Sequence, residues 1–292
     1  MPKRCAGKSL RGDILQKIRC IAEDVGEGIG IKDFLNKRLS VSATLIKRVK
    51  YGGVFVNGIN VHMRHTVKEG DTVEVILPKA DTKTEPIEIP LDVIYEDEYI
   101  LAVNKPKNMP THPSRGNKLP TLANAVAAYL GENFVFRAVN RLDKDTAGIV
   151  VIAKDPITSA ALCKMMKNRE FVKKYTAVLK STPPEEHGFI DAPIERESPD
   201  SIKRCVRDDG KRAVTEYRVI KKNEDASALC EFTLHTGRTH QIRVHASHIG
   251  CPLLGDEMYG GGEGGYSLHC TQMVLPHPRS GEILHLTSLA DF

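Results

Sequence analysis

The sequence contains no tryptophan, and aromatic residues make up only 5% of its 292 residues. Each tyrosine and phenylalanine is therefore a candidate for a specific structural or functional role. Hydrophobic residues still account for 41% of the chain, which is enough to build a sizeable core. At roughly 150 residues per domain, the length predicts about two domains.

Pairs of cysteines with a recognisable spacing are also missing. The seven cysteines are scattered, their number is odd, and no CxxC sequence occurs. This pattern argues against a disulfide framework and against a thiolate zinc site, and it favours a reducing compartment.

No apolar run approaches the ~18 residues that a membrane span needs. The first residues, MPKRCAGKSLRGD, lack the apolar core of a signal peptide. We therefore expect a soluble protein of the cytoplasm with no membrane contact. The net charge of +5 and the pI of about 8.7 are mildly basic, which permits a nucleic-acid partner without requiring one.

The N-terminal part of the chain is predicted to begin with a basic extension, residues 1–26, in which we expect a short strand at IRCIAED. Apolar residues then recur at helical spacing, which predicts a first helix. The residues on its buried face are Ile31, Phe34, Leu35 and Leu39.

A second predicted helix begins after Ser42, which is a suitable N-cap. Its inward-facing residues are Leu45, Ile46 and Val49. Two β-branched runs then surround Asn57-Gly58, which is a strong hairpin signal, and GDTVEVIL alternates as a half-buried strand should. Residues 27–78 are thus predicted to form a small helix–helix–hairpin module.

This module resembles the small RNA-binding domain named after ribosomal protein S-four, in element order, in its VNG hairpin and in the GD before the last strand. Between Ile31 and Lys50 the single acid is Asp33. The cations there are Lys32, Lys37, Arg38, Lys47, Arg48 and Lys50. Such a surface is either an ordinary solvated face or a binding site for a phosphate backbone. The resemblance favours RNA binding, with Lys47 and Arg48 among the substrate-binding residues.

Prolines among charged residues predict a linker over residues 79–86. The second domain, residues 87–292, mixes strands such as YILAVNKP and GIVVIAKD with fewer helices, and the two do not alternate regularly. We therefore predict an α+β fold with a mixed, mainly antiparallel sheet.

The charge cluster RLDKD stands at the entrance of the apolar run GIVVIA. It is either a solvated turn or a place where one carboxylate does chemistry. The longer sequence NRLDKDTAG resembles the motif HRLDxxTSG of the RluA family of pseudouridine synthases, with Asn140 in place of the usual histidine and Ala147 in place of serine.

Two later segments resemble the same family in the same order. VKKYTAVLK is similar to KxYxAxV, with Leu179 in place of valine. LHTGRTHQIRVHASHIGCPLLGDEMYG is similar to the family's third signature along almost its whole length. The resemblance covers about residues 85–292 and implies the pseudouridine synthase fold, and the N-terminal module is the one found in members of the RluC/RluD type.

The resemblance implies isomerisation of uridine to pseudouridine within RNA, without a cofactor. Asp143 would be the nucleophile, Arg243 the cation that opposes desolvation of that carboxylate, and Tyr175 the residue that stacks on the base and can assist proton transfer. The target uridine must swing out of folded RNA to meet Asp143. The implied substrate-binding residues of this domain are Arg141, Lys173, Arg238, His240 and Gln241.

Several alternatives remain at this stage. His245 and His248 are three residues apart, but no carboxylate or cysteine has a convincing spacing, so no metal site is predicted. Large-subunit ribosomal RNA is the expected substrate and transfer RNA the alternative. A non-catalytic RNA-binding or ribosome-assembly protein would keep the same fold, and a hydrolytic nucleosidase would also use a carboxylate but release free uracil. We expect a monomer.

Overall fold

The computed structural model describes residues 17–39, 41, 43–76, 84–113, 120–131 and 134–292. Residues 1–16 of the predicted extension, the N-cap assigned to Ser42 and residues 79–83 of the predicted linker lie outside this set. The chain divides into two compact units after Asp81. None of the described helices has the length and apolar composition to span a membrane.

The N-terminal unit contains short strands and two short helices. The strands are β1 (Lys17–Ile21), β2 (Ile29–Gly30), β3 (Val54–Val56), β4 (Ile59–Asn60), β5 (Thr66–Val67) and β6 (Thr72–Ile76), and the helices are α1 (Ile31–Asp33) and α2 (Ala43–Val49). An antiparallel sheet has the order β1-β6-β3-β4, and β2 pairs with β5.

The first strand corrects the predicted extent of the basic extension. Residues Lys17–Ile21 belong to the sheet, where Ile18 pairs with Val75 and Cys20 with Val73 of β6. The short strand expected at IRCIAED is therefore confirmed, and it covers one edge of β6. The sheet thus includes residues that the sequence analysis placed outside the module.

The local patterns of this unit are confirmed. Ile31, Phe34 and Leu35 are buried on one side of α1 and of the π-helical turn Phe34–Arg38 that follows it. Leu39, at the end of the turn, is half-buried. On α2 the buried residues are Leu45, Ile46 and Val49.

The predicted hairpin is confirmed at Asn57-Gly58. Phe55 pairs with Asn60 and Val56 with Ile59. Asn57 and Gly58 have φ values of 50° and 79°, as a two-residue hairpin turn requires.

The second unit is built on one large sheet. Its strands are β7 (Asp92–Glu96), β8 (Ile100–Lys105), β9 (Ala147–Ala153), β10 (Val172–Leu179), β11 (His187–Asp191), β12 (Ile194–Arg196), β13 (Arg204–Val206), β14 (Val214–Lys222), β15 (Ala228–Leu234), β16 (Leu268–Pro276) and β17 (Ile283–Thr287). Its helices are α3 (Leu122–Leu130), α4 (Pro156–Lys167) and α5 (Gln241–His248). The sheet order is β11-β14-β15-β10-β16-β9-β8-β7, with β17 on β16, while β12 and β13 form a separate hairpin.

The sheet is mixed and mainly antiparallel, as predicted, because β9 and β16 are the one parallel pair among the described strands. All seven residues of β9 are buried, which confirms the interpretation of GIVVIA as a core strand. The last residues of the predicted linker belong to this unit, since the Glu85 carbonyl accepts a hydrogen bond from Asn124 of α3 at 2.7 Å.

Gly148 lies where β9 pairs with β16, opposite Cys270. Its φ is +109°, and a Cβ at this position would lie 2.4 Å from the Cys270 carbonyl oxygen and 2.5 Å from the Cys270 nitrogen. No side chain fits such an approach of two backbones, so the parallel pairing depends on glycine.

Gly148→Ala is expected to lower the unfolding free energy of the second unit by at least about 2 kcal/mol, because it adds backbone overlap to positive-φ strain. Urea denaturation followed by far-UV circular dichroism measures the loss. Gly264→Ala is the matched control, since φ there is +107° but a Cβ meets nothing within 4 Å. Equal losses in the two variants would contradict the argument from overlap.

Candidate active site

A cavity of about 790 Å³ opens in the second unit, which is a size suited to one nucleotide. All eight site residues predicted for this unit line it: Arg141, Asp143, Lys173, Tyr175, Arg238, His240, Gln241 and Arg243. These residues come from three segments that are far apart in sequence. Lys47 and Arg48 lie on α2 of the N-terminal unit, where both are exposed.

The loop that carries Asp143 is fixed on both sides of that residue. The Leu142 carbonyl accepts a hydrogen bond from the Thr111 hydroxyl at 2.8 Å, and the Leu142 amide donates back to it at 3.3 Å. The buried Lys105 ammonium donates to the Lys144 carbonyl at 3.1 Å. Asp143 itself keeps a third of its side-chain surface exposed toward the cavity. A rigid support of this kind suits a group that must hold one geometry.

Lys105 is fully buried at the end of β8, where its ammonium also donates to the carbonyls of Pro106 and Met109. Burial lowers the pKa of Lys105 to about 8, although the charges of Asp145 and Asp143 act to raise it. Three carbonyl acceptors and two nearby carboxylates therefore compensate a charge that would otherwise be costly to bury.

Asn140, which replaces the family's histidine, attaches the start of the loop to β9. Its amide nitrogen donates to the Ile149 carbonyl at 2.9 Å, and its amide oxygen accepts from the Val151 amide at 2.9 Å. The side chain thus forms the same donor–acceptor pair as a neighbouring strand. The Asn140 amide therefore fixes the start of the Asp143 loop to β9.

Tyr175 lies on β10 beside the cavity and is almost fully buried. Burial raises the pKa of its phenol well above the usual value, and the neighbouring Cys270 and Asp143 raise it further. The hydroxyl consequently stays protonated across the physiological range. Tyr175 can offer its ring and a hydrogen-bond donor, and it is a poor general base.

Arg243 differs from the prediction in its direct partner. Its guanidinium donates two hydrogen bonds to Asp256, at 2.7 Å and 2.8 Å, and both side chains are buried. Burial acts to lower the pKa of Arg243, but the bonded Asp256 and the nearby charges, including Asp143, raise it overall. The cation also lies 4.8 Å from the Tyr259 ring centre and 4.4 Å from that of Tyr266. The positive charge of Arg243 still acts on the cavity, although two nitrogens of its guanidinium are bonded to Asp256.

Gln241 is a wall of the cavity with little capacity left for a substrate. Its amide oxygen accepts from the Thr236 hydroxyl and the Arg238 amide, and its amide nitrogen donates to the Val214 carbonyl and the Thr215 hydroxyl. These four bonds use both donors and both acceptor sites of the amide. The structure therefore assigns Gln241 to holding the turn that precedes α5, in contrast to the predicted contact with substrate.

The remaining cations predicted for the cavity differ in exposure. Arg141 and Arg238 are exposed, and the Arg238 side chain donates to the Arg212 carbonyl at 3.0 Å. Lys173 is partly buried, and burial lowers its pKa. Together they make a positive rim around the position of Asp143.

His240 lies immediately before α5, with its Nε2 atom 3.9 Å from Asp143 Oδ2. Burial lowers the pKa of His240, and the Asp143 charge opposes this effect. His245, on α5, is bonded within the protein. Both ring nitrogens of His245 bond to protein, and no cluster of three metal-binding side chains occurs among the described residues.

Several supporting residues were not predicted from the sequence. Asp256, Tyr259 and Tyr266 contact Arg243 or His240 directly. Thr111 and Lys105 instead bond to Leu142 and Lys144, the two neighbours of Asp143 in the chain. Asp256 and Tyr259 stand inside the third signature, which was a usable signal. Lys105 follows the apolar run YILAV at the end of a predicted strand, and a lysine at the end of a buried strand is also an indication of a functional site.

The wider comparison agrees with this geometry. Residues 99–248 match the family model described as RNA pseudouridylate synthase. The solved structure of human RNA pseudouridylate synthase domain containing 4 has a TM-score of 0.57 and 26% identity, covering 68% of this chain and 88% of that one. Fold and cavity thus define a pseudouridine synthase.

Curated relatives narrow that class. YlyB of Bacillus subtilis, described as an uncharacterized RNA pseudouridine synthase, is 40% identical over 80% of this chain and 80% of its own length. Ribosomal large subunit pseudouridine synthase D of Xanthomonas campestris is 38% identical over 80% of this chain and 76% of its own. The chain belongs to the RluA family of RNA pseudouridine synthases, which are isomerases that act on RNA.

Proposed function

We propose that this protein isomerises uridine to pseudouridine in large-subunit ribosomal RNA, with Asp143 as the nucleophile. The observation that carries the proposal is the Asp143 carboxylate itself, fixed by its loop at a nucleotide-sized cavity and exposed toward it. The choice of RNA rests on the relatives named as ribosomal large subunit enzymes. The proposal includes a monomeric state and a location in the cytoplasm.

The cavity residues have separate roles in such a reaction. The target nucleotide leaves the RNA stack and enters the cavity, where Tyr175 packs against the base. Asp143 holds one fragment covalently while the glycosidic bond is broken and the uracil turns. Arg243 supplies a fixed positive charge close to this carboxylate. The cations that would contact RNA phosphates around the cavity are Arg141, Lys173 and Arg238.

Mapping pseudouridine in total RNA tests the substrate. A strain without this protein should lose one or more pseudouridines from large-subunit ribosomal RNA and regain them when the wild-type chain is restored. A loss confined to transfer RNA would contradict the ribosomal assignment while leaving the reaction intact.

The N-terminal unit is proposed to be an S-four-type domain that binds RNA. Its support is the set of exposed lysines and arginines on α1, on the π-helical turn Phe34–Arg38 and on α2, which also carry buried apolar residues. Lys47 and Arg48 follow each other on α2, so both can meet one backbone.

Replacing Lys47 and Arg48 together by glutamine should weaken binding to long RNA and reduce the slope of log Kd against log salt by about 1.5. Glutamine preserves helix propensity, so α2 should remain folded. Titrations at several salt concentrations measure the slope. The matched control replaces two exposed lysines of β14, Lys221 and Lys222, and should leave the slope near the wild-type value. An unchanged slope in the α2 variant would contradict the proposed contact.

A further inference from the structure

His240 lies between the Asp143 carboxylate and Tyr259, another residue of the third signature. On one side its Nε2 atom lies 3.9 Å from Asp143 Oδ2. On the other side its Nδ1 atom lies 2.8 Å from the Tyr259 hydroxyl oxygen. The backbone of His240 is held at φ +58°, a left-handed conformation that a non-glycine residue keeps only where its surroundings fix it.

The hydrogen bonds of Tyr259 favour one position for the proton of the neutral His240 ring. The Arg204 amide donates to the Tyr259 oxygen at 3.0 Å. The phenol's own hydrogen is then left to donate to Nδ1 of His240. A neutral imidazole that accepts at Nδ1 carries its hydrogen on Nε2, which is the nitrogen that faces Asp143.

Burial favours the neutral form of the ring. It lowers the pKa of His240, Asp143 and Asp256 act to raise that pKa, and Arg243 of α5 and Arg204 of β13 act to lower it further. His240 thus presents an N–H donor to the carboxylate without a positive charge.

We propose that His240 is a positioning residue for Asp143: its Nε2 hydrogen, directed by Tyr259, binds one oxygen of the carboxylate and leaves the other free to attack. The inference rests on the proposed role of Asp143. The separation of 3.9 Å is longer than a hydrogen bond, and the contact closes when the nucleotide fills the cavity. Because Tyr259 is itself bonded to β13, the β12–β13 hairpin is coupled to the orientation of the nucleophile.

A matched pair of amides at position 240 tests the reach of this donor. Asparagine and glutamine are both neutral and polar, but the Asn amide reaches only as far as Nδ1 of histidine, whereas the Gln amide reaches the position of Nε2. We expect His240→Asn to lower the single-turnover rate of pseudouridine formation on the target RNA about 100-fold, with the RNA Kd within twofold of wild type. His240→Gln should recover the rate to within about tenfold of wild type. Both estimates follow from a positioned hydrogen bond.

Tyr259→Phe provides a second measurement that does not disturb the strained backbone of His240. It keeps the ring beside Arg243 and removes only the hydroxyl that directs the tautomer. We expect a rate loss of about tenfold with unchanged RNA affinity. In the His240→Asn background, the same change should have little further effect, because the two residues act through one contact.

The results of these experiments distinguish the proposed function from the positioning role of His240. If Asp143→Asn is inactive but His240→Asn keeps the wild-type rate, the proposed function stands and the positioning role is wrong. The role is also wrong if glutamine restores no more activity than asparagine, if the loss lies in Kd rather than in rate, or if the Tyr259 and His240 effects add independently. If Asp143→Asn is active, the proposed function itself fails.

Discussion

Asp143→Asn is expected to abolish pseudouridine formation while leaving the fold and RNA binding nearly unchanged. The amide has the shape of the carboxylate but is not a nucleophile, so the rate should fall at least about 10³-fold. Among the described residues, the nitrogen that lies within 4 Å of the carboxylate is His240 Nε2, at 3.9 Å, and the Asp143 side chain is partly exposed, so few folding interactions are lost. Single-turnover assays on ribosomal RNA fragments, with mass spectrometry of the nucleosides, measure the loss.

Asp209→Asn is the control, because this carboxylate is exposed at the surface and does not line the cavity. A surface change of this kind should alter the rate by no more than about twofold. Full activity in the Asp143 variant would remove Asp143 from the chemistry. Release of free uracil by the wild-type protein would instead identify a hydrolytic nucleosidase.

Local patterns allowed much of the fold to be predicted. The hairpin at Asn57-Gly58, the apolar faces of the first helices and the buried strand β9 each follow from spacing within about ten residues. The class of the second unit followed from the mixture of strands and helices. The strand order did not, because it places β10 next to β16, and these strands are almost a hundred residues apart in sequence.

The cavity residues were predictable for a different reason. Three motifs resembling one family identified residues that chemistry requires, and the structure brings those of the second unit to one cavity. Their supports could not be found in that way. Lys105 bonds to the Asp143 loop across 39 residues of sequence. The Asn140 side chain bonds to the backbone of β9 in the way that a neighbouring strand would. Such contacts depend on tertiary positions that no local pattern records.

The Arg243–Asp256 pair gives the second large expected effect. Asp256→Asn is expected to lower the unfolding free energy of the second unit by about 3–5 kcal/mol, because it leaves a buried guanidinium without its counter-charge. Asp256→Asn should also remove activity, since the Arg243 guanidinium loses the carboxylate that orients it. Urea denaturation and the single-turnover rate measure the two effects.

Asp191→Asn controls for the loss of an ordinary ion pair. Asp191 pairs with Arg212 at 3.1 Å, but both side chains are more than half exposed. Screening by water limits such a pair to less than about 1 kcal/mol. A similar loss of stability in both variants would contradict the argument from burial.

A double replacement separates stability from catalysis at this pair. Arg243→Met with Asp256→Leu removes both charges and fills the space with apolar side chains, so stability should return close to the wild-type value. Activity should remain lost, because methionine brings no charge to the cavity beside Asp143. If the double variant regained activity together with stability, Arg243 would be a structural residue alone. If it regained stability only, the buried pair would be retained for the positive charge that it fixes next to the nucleophile.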